Sequence, residues 1–121
     1  METSLQPQKQ YQISEVYIAD IIELKNIFLQ ISNLETLPES FGIPFLMIRQ
    51  KNNIIAFASL IINSIGKTDF VIYEKENLST EEKESFMSQV QTYFKRNNSG
   101  NYRDPLQLKS STERMINWLN I

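Results

Sequence analysis

The stretch Phe45-Leu46-Met47-Ile48-Arg49-Gln50-Lys51-Asn52-Asn53-Ile54-Ile55-Ala56-Phe57-Ala58-Ser59-Leu60-Ile61-Ile62-Asn63 decides the fold class. Two apolar runs flank Lys51-Asn52-Asn53, and asparagine accepts a positive backbone φ at low cost, so the three residues read as a turn between strands at 45–50 and 54–63. The second run is apolar from Ile54 to Ile62, well short of the roughly 20 residues a membrane-spanning helix requires. Its continuity is that of a strand covered on both faces. Ser64 to Lys67, with Gly66, forms a second turn, and Asp69 to Glu74 follows as a third strand. The result is an antiparallel meander whose middle strand is apolar on both sides, so both faces of the sheet need cover.

Upstream, Ile18, Ile21, Ile22, Leu24, Phe28 and Ile31 recur at helical spacing opposite Asp20, Glu23, Asn26 and Gln30. This pattern predicts a helix over 15–32, capped by Ser14. Tyr11 to Ile13 reads as a short edge strand, and residues 1–10 as a polar lead-in expected to be disordered. Asn33 to Pro44 holds two prolines, a glycine and no sustained period, which makes it a loop. Downstream, Ser79-Thr80-Glu81-Glu82 is a capping box, and Phe86, Met87, Val90, Tyr93 and Phe94 give the inward face of a helix ending near Arg96. Asn97 to Asn101, with Gly100, stops it. A second capping box at Ser110 to Glu113 predicts a short terminal helix, whose Met115, Trp118, Leu119 and Ile121 read first as closing the core and second as a docking face. The fold class is therefore α+β: one domain over 1–121, with a three- to four-stranded, mainly antiparallel sheet and helices packed on it.

Composition removes many chemistries. The chain has 121 residues with no cysteine and no histidine. That excludes disulfides, Ser-His-Asp and Cys-His catalytic units, and the usual zinc and haem ligand sets. Any general acid or base must be Asp, Glu, Lys or Tyr, and no spaced Asp/Asn run offers a calcium loop. No metal is expected. The amino terminus lacks the apolar core of a secretory signal, so the expected location is cytoplasmic, away from membranes. A net charge of −2 and a pI near 5.2 argue against nucleic acid as a partner, because such binding rests on phosphate neutralisation. From Lys95 onward five basic residues face two acidic ones, which leaves a mildly basic end on an acidic body.

The order strand, helix, three-stranded meander, helix resembles the first half of the GNAT superfamily, the acyl-CoA N-acyltransferases. The resemblance rests on Tyr11-Gln12-Ile13 with the isoleucine-rich helix, on Phe45 to Ile48, and on Ile54-Ile55-Ala56-Phe57-Ala58-Ser59-Leu60, and covers roughly residues 11–97. It implies a truncated GNAT-like fold. If activity is retained, it implies acetyl-CoA as the cofactor, with the acyl group against the backbone of Val71, Ile72 and Tyr73. The chain departs from the family at the glycine-rich pyrophosphate loop. Glu76-Asn77-Leu78-Ser79-Thr80-Glu81-Glu82-Lys83-Glu84 has no glycine, and its capping box and three glutamates oppose phosphate at the helix start.

Two further groups carry candidate chemistry. Tyr73 and Glu74 end the third strand, as an acid and base pair if burial shifts them, or as ordinary edge residues. Tyr102, Arg103 and Asp104 put an aromatic, a cation and a carboxylate in one stretch before Pro105, either as a clamp for an anionic or planar ligand or as a loop staple. The favoured reading is a non-catalytic domain with no cofactor, working through protein contacts as a homodimer, because three strands greasy on both faces have only two good helices and a short third to cover them. The alternative is a reduced GNAT-like N-acyltransferase or a binder of acyl-CoA or another small ligand.

Overall fold

A computed structural model describes residues 11–121, so the expected polar lead-in over 1–10 lies outside the described residues. Four strands run β1 (Tyr11–Glu15), β2 (Ile43–Gln50), β3 (Asn53–Ile62) and β4 (Thr68–Glu74). They form one antiparallel sheet in the order β1-β2-β3-β4. The helices are α1 (Ile21–Ser32), α2 (Thr80–Arg96), the single turn α3 (Gly100–Arg103) and α4 (Pro105–Leu119). The chain is an α+β protein, with its meander where the hydrophobic pattern predicts it.

Buried side chains divide into two clusters, one on each face of the sheet. Leu46, Ile48, Ala56, Ala58 and Leu60 pack with Phe86 and Val90 of α2 and with Tyr102. Met47, Ile54 and Phe57 pack with Ile21, Leu24, Ile27 and Phe28 of α1 and with Ile116 and Leu119 of α4. Leu108 belongs to the first cluster, so α4 leads from one layer into the other. Two bulges adjust the alternation. Pro44 pairs Ser59 and Leu46 pairs Ala58, leaving Phe45 as an extra residue, and Ile55 is left over in the same way between Ala56 and Ile54. Both extra side chains enter the α2-side cluster. Phe41, Phe57 and Phe86 are wholly buried, and each contributes about 1.5–3 kcal/mol through removal from water. Ser59 is also wholly buried, and its hydroxyl has no hydrogen-bond partner among the described residues.

Four sequence expectations need correction. Ser14 does not cap a helix: it pairs with Met47 in β1, which runs on to Glu15. The β-branched Val16 and aromatic Tyr17 keep the chain extended until a 3-10 turn at Ile18–Asp20 leads into α1. There the Asp20 carboxylate accepts the Tyr17 N–H at 2.9 Å and the Arg49 guanidinium at 3.1 Å. The terminal helix opens at Pro105, five residues before Ser110, because Asp104 accepts the amides of Leu106 and Gln107 and proline suits the first helical position. That start turns Leu108, Thr112, Ile116 and Leu119 inward, while Trp118 is half exposed and Ile121 is at the surface. Finally, the left-handed residue of the first hairpin is Lys51, with φ 57°, where asparagine was expected.

Gly42 has a structural requirement of its own. Its φ is 68°, and a Cβ there would lie 2.1 Å from the carbonyl oxygen of Leu60, so only glycine lets the loop close onto β3.

Candidate functional site

The first candidate region is β4. The main-chain N–H of Lys75 donates to Ile55, which makes 75 and 55 a hydrogen-bonded pair. By the alternation of an antiparallel ladder, Tyr73 and Val71 also direct their backbone groups at β3, whereas Ile72 and Phe70 direct theirs at the open edge. A groove of about 320 Å³ runs between this edge and α2, lined by Phe70, Ile72, Leu78, Phe86 and Met87. Val71 and Ile72 border it and Tyr73 does not. Tyr73 packs on the other face against Phe28 and Phe57, with ring centroids 4.9 and 5.4 Å away, and its hydroxyl donates to the Ser40 carbonyl. Burial raises its pKa above the ordinary 10.0, so it holds its proton. Glu74 forms an ion pair with Lys83 at 3.7 Å.

The start of α2, beside this groove, is closed by a reciprocal capping box. Ser79 Oγ accepts the Glu82 N–H at 3.1 Å, and Glu82 Oε1 accepts the Ser79 N–H at 2.9 Å. Glu82 Oε2 accepts from Gln50 Nε2 at 2.6 Å, so the Glu82 side chain is buried and held against the helix start. An anion approaching here meets a carboxylate where a bare helix would present amides.

The second candidate region, Tyr102 to Asp104, is held by the protein itself. Tyr102 is buried among Phe45, Tyr93 and Phe94, and burial raises its pKa. Arg103 Nη2 donates to the carbonyls of Phe94 and Lys95 at 2.6 and 2.8 Å, and its guanidinium lies 5.2 Å from the Phe94 ring centroid. It thereby satisfies the last turn of α2. Asp104 caps α4. The three side chains diverge to three tasks.

The third region was missed from sequence. A cleft of about 620 Å³ lies between the end of β1 and the C-terminal half of α2, lined by Glu15, Gln89, Thr92, Tyr93, Arg96 and Asn98 among others. Tyr93 donates to Glu15 Oε2 at 3.0 Å, and its ring stacks on Phe45 at 5.7 Å and 29°. Burial is the main cause that raises its pKa, and Glu15 adds to it. Sequence reading placed Glu15 in a helix, Tyr93 in the core and the asparagines in a helix stop. The only signal for the cleft was the polar spacing of Gln89, Thr92 and Arg96 along α2, which is also what a solvated face looks like. Among the described residues, no group of three or more potential ligand side chains could hold a metal ion, and no helix is long and apolar enough to cross a membrane.

Comparison with protein-family models, with curated proteins and with solved structures finds no match to the chain. The reading of function therefore rests on the geometry above.

Proposed function

We propose that this domain is non-catalytic and works through protein contact, as a homodimer formed by the start of α1. The observation that carries this reading is an apolar step on the surface: Tyr17, Ile18 and Ile22 are 63%, 74% and 52% exposed. Ile18 lies in the 3-10 turn and Ile22 in the first turn of α1, four residues on, while Ile21 and Leu24 of the same segment are buried. Exposed apolar side chains gathered at one place are the mark of an interaction surface, whereas scattered ones are not. A self-complementary two-fold contact is the commonest way for one chain to cover such a step. The sheet faces expected to need a partner are covered within the chain, because α4 is 15 residues long and contributes to both clusters.

The acyl-CoA or small-ligand reading has one observation in its favour, the apolar groove beside Val71 and Ile72. Against it stands the start of α2, where the Ser79–Glu82 capping box and the neighbouring glutamates oppose phosphate.

Light scattering and thermal shift together test the two readings. The wild-type chain is expected at the mass of two copies, and the double variant Ile18→Glu/Ile22→Glu at that of one, with its circular dichroism unchanged. Acetyl-CoA and CoA are expected to leave the melting temperature where it is. A single-copy mass for the wild type across the accessible concentrations would overturn the homodimer. A rise of several degrees with either CoA compound would favour the ligand reading instead.

A further inference from the structure

We propose that the cleft between β1 and α2 binds a small zwitterion, a molecule of amino-acid to dipeptide size carrying one ammonium and one carboxylate group. Its lining holds one anion, Glu15, and one cation, Arg96, with neutral hydrogen-bonding side chains such as Gln89, Thr92 and Asn98 between them in character. A polyphosphate would bring more negative charge than one guanidinium offsets and would meet Glu15, while a polycation would meet Arg96. One charge of each sign suits both.

The state of the two charged groups supports this assignment. Arg49 pairs with Asp20, Arg103 holds the end of α2, and Arg114 bonds Ser110. Arg96, the remaining arginine, makes no hydrogen bond or ion pair among the described residues, which leaves its planar fork for a carboxylate. Glu15 is fixed by the Tyr93 hydroxyl on Oε2, so Oε1 is left to accept from an ammonium. Tyr93 is held in turn by its stack on Phe45 and by Tyr102, so the acceptor is positioned before a ligand arrives. The volume, about 620 Å³, lies within the range of small-molecule sites and leaves room for bridging water.

The test is an amide chemical-shift titration of the full chain with the common amino acids and glycyl dipeptides as probes, and with acetate and methylamine as single-charge controls. Saturable shifts are expected at Glu15, Gln89, Thr92, Arg96 and Asn98 with at least one zwitterionic probe. Arg96→Gln and Glu15→Gln are each expected to weaken that binding roughly tenfold or more, the loss of one charge-assisted contact. Glutamine at 15 keeps an acceptor for Tyr93, so both variants are expected to melt as the wild type does. The proposal is overturned if no probe produces saturable shifts at these residues, if neither substitution weakens binding, or if acetate or methylamine binds as tightly as the zwitterion. The Ile18→Glu/Ile22→Glu variant leaves the cleft lining intact, so failure of the dimer and failure of this site register separately.

Discussion

Arg103 shows how one residue type in one sequence context serves two readings. Beside Tyr102 and Asp104 it has the makings of an anion clamp, and in the folded chain its guanidinium is spent on the carbonyls of Phe94 and Lys95. Nothing local distinguishes the two, because the carbonyls it meets belong to a helix end eight or nine residues earlier. Arg103→Ala is expected to cost about 1 kcal/mol in urea denaturation, a modest figure because the side chain is exposed. Arg103→Lys should recover only part of it, since an ammonium lacks the fork and stacks less well on Phe94. Unchanged stability in both variants would return the residue to the list of ligand contacts. Glu15 is the converse case: unremarkable in sequence, it gains a candidate role only because β1 ends beside α2.

At the scale of elements, periodicity and turn chemistry recovered the meander and α2, because both rest on interactions among near neighbours. The Ser79–Glu82 box, for example, is a contact across three residues. The starts of α1 and α4 were not recovered. Two capping patterns compete for the start of the terminal helix, and both satisfy local rules: Ser110 to Glu113, and Asp104 followed by Pro105. The longer helix prevails because it buries Leu108 in the core as well as Ile116 and Leu119. Asp104→Ala is therefore expected to destabilise the protein by about 1 kcal/mol or slightly more, and Ser110→Ala by less than about 0.5 kcal/mol, as at an ordinary surface position. Chemical denaturation of both variants checks this, and the reverse ranking would restore the helix start at Ser110.

The described residues form a sheet covered on both faces by its own chain, with the end of α4 tied to α1 and to the segment that follows it. The Asn120 side chain accepts from Leu37 N–H at 2.9 Å and donates to Leu37 C=O at 3.1 Å, and Lys25 Nζ donates to the Leu119 carbonyl. The protein's dependence on pH follows from what it contains. Tyr73, Tyr93 and Tyr102 have pKa values raised above the ordinary 10.0, chiefly by burial. Each stays protonated in the folded chain at a pH where it ionises in the unfolded one, so the folded state binds more protons there. Their contribution is complete below pH 10 and is lost as pH rises through the folded values. With no histidine and no cysteine, few side chains titrate between about pH 6 and 9. Urea midpoints should be level across that window and fall above about pH 10, with a shallower fall in Tyr102→Phe. A marked slope between pH 6 and 9, or no alkaline fall, would contradict this account.

The amino-acid sequence alone determined the α+β class, the antiparallel order of the three meander strands, the capping box at the start of α2 and the exclusion of thiol and imidazole chemistry. These follow from composition or from contacts within a few residues, and the chain carries them wherever it folds. Tertiary structure alone decided that β1 runs on to Glu15, that α4 begins at Pro105, that Tyr102 to Asp104 serve three separate structural tasks, and that Glu15, Tyr93 and Arg96 share a cleft. Each of these depends on which distant side chains meet. That is set by the burial of the two core clusters as a whole, a quantity no local pattern contains.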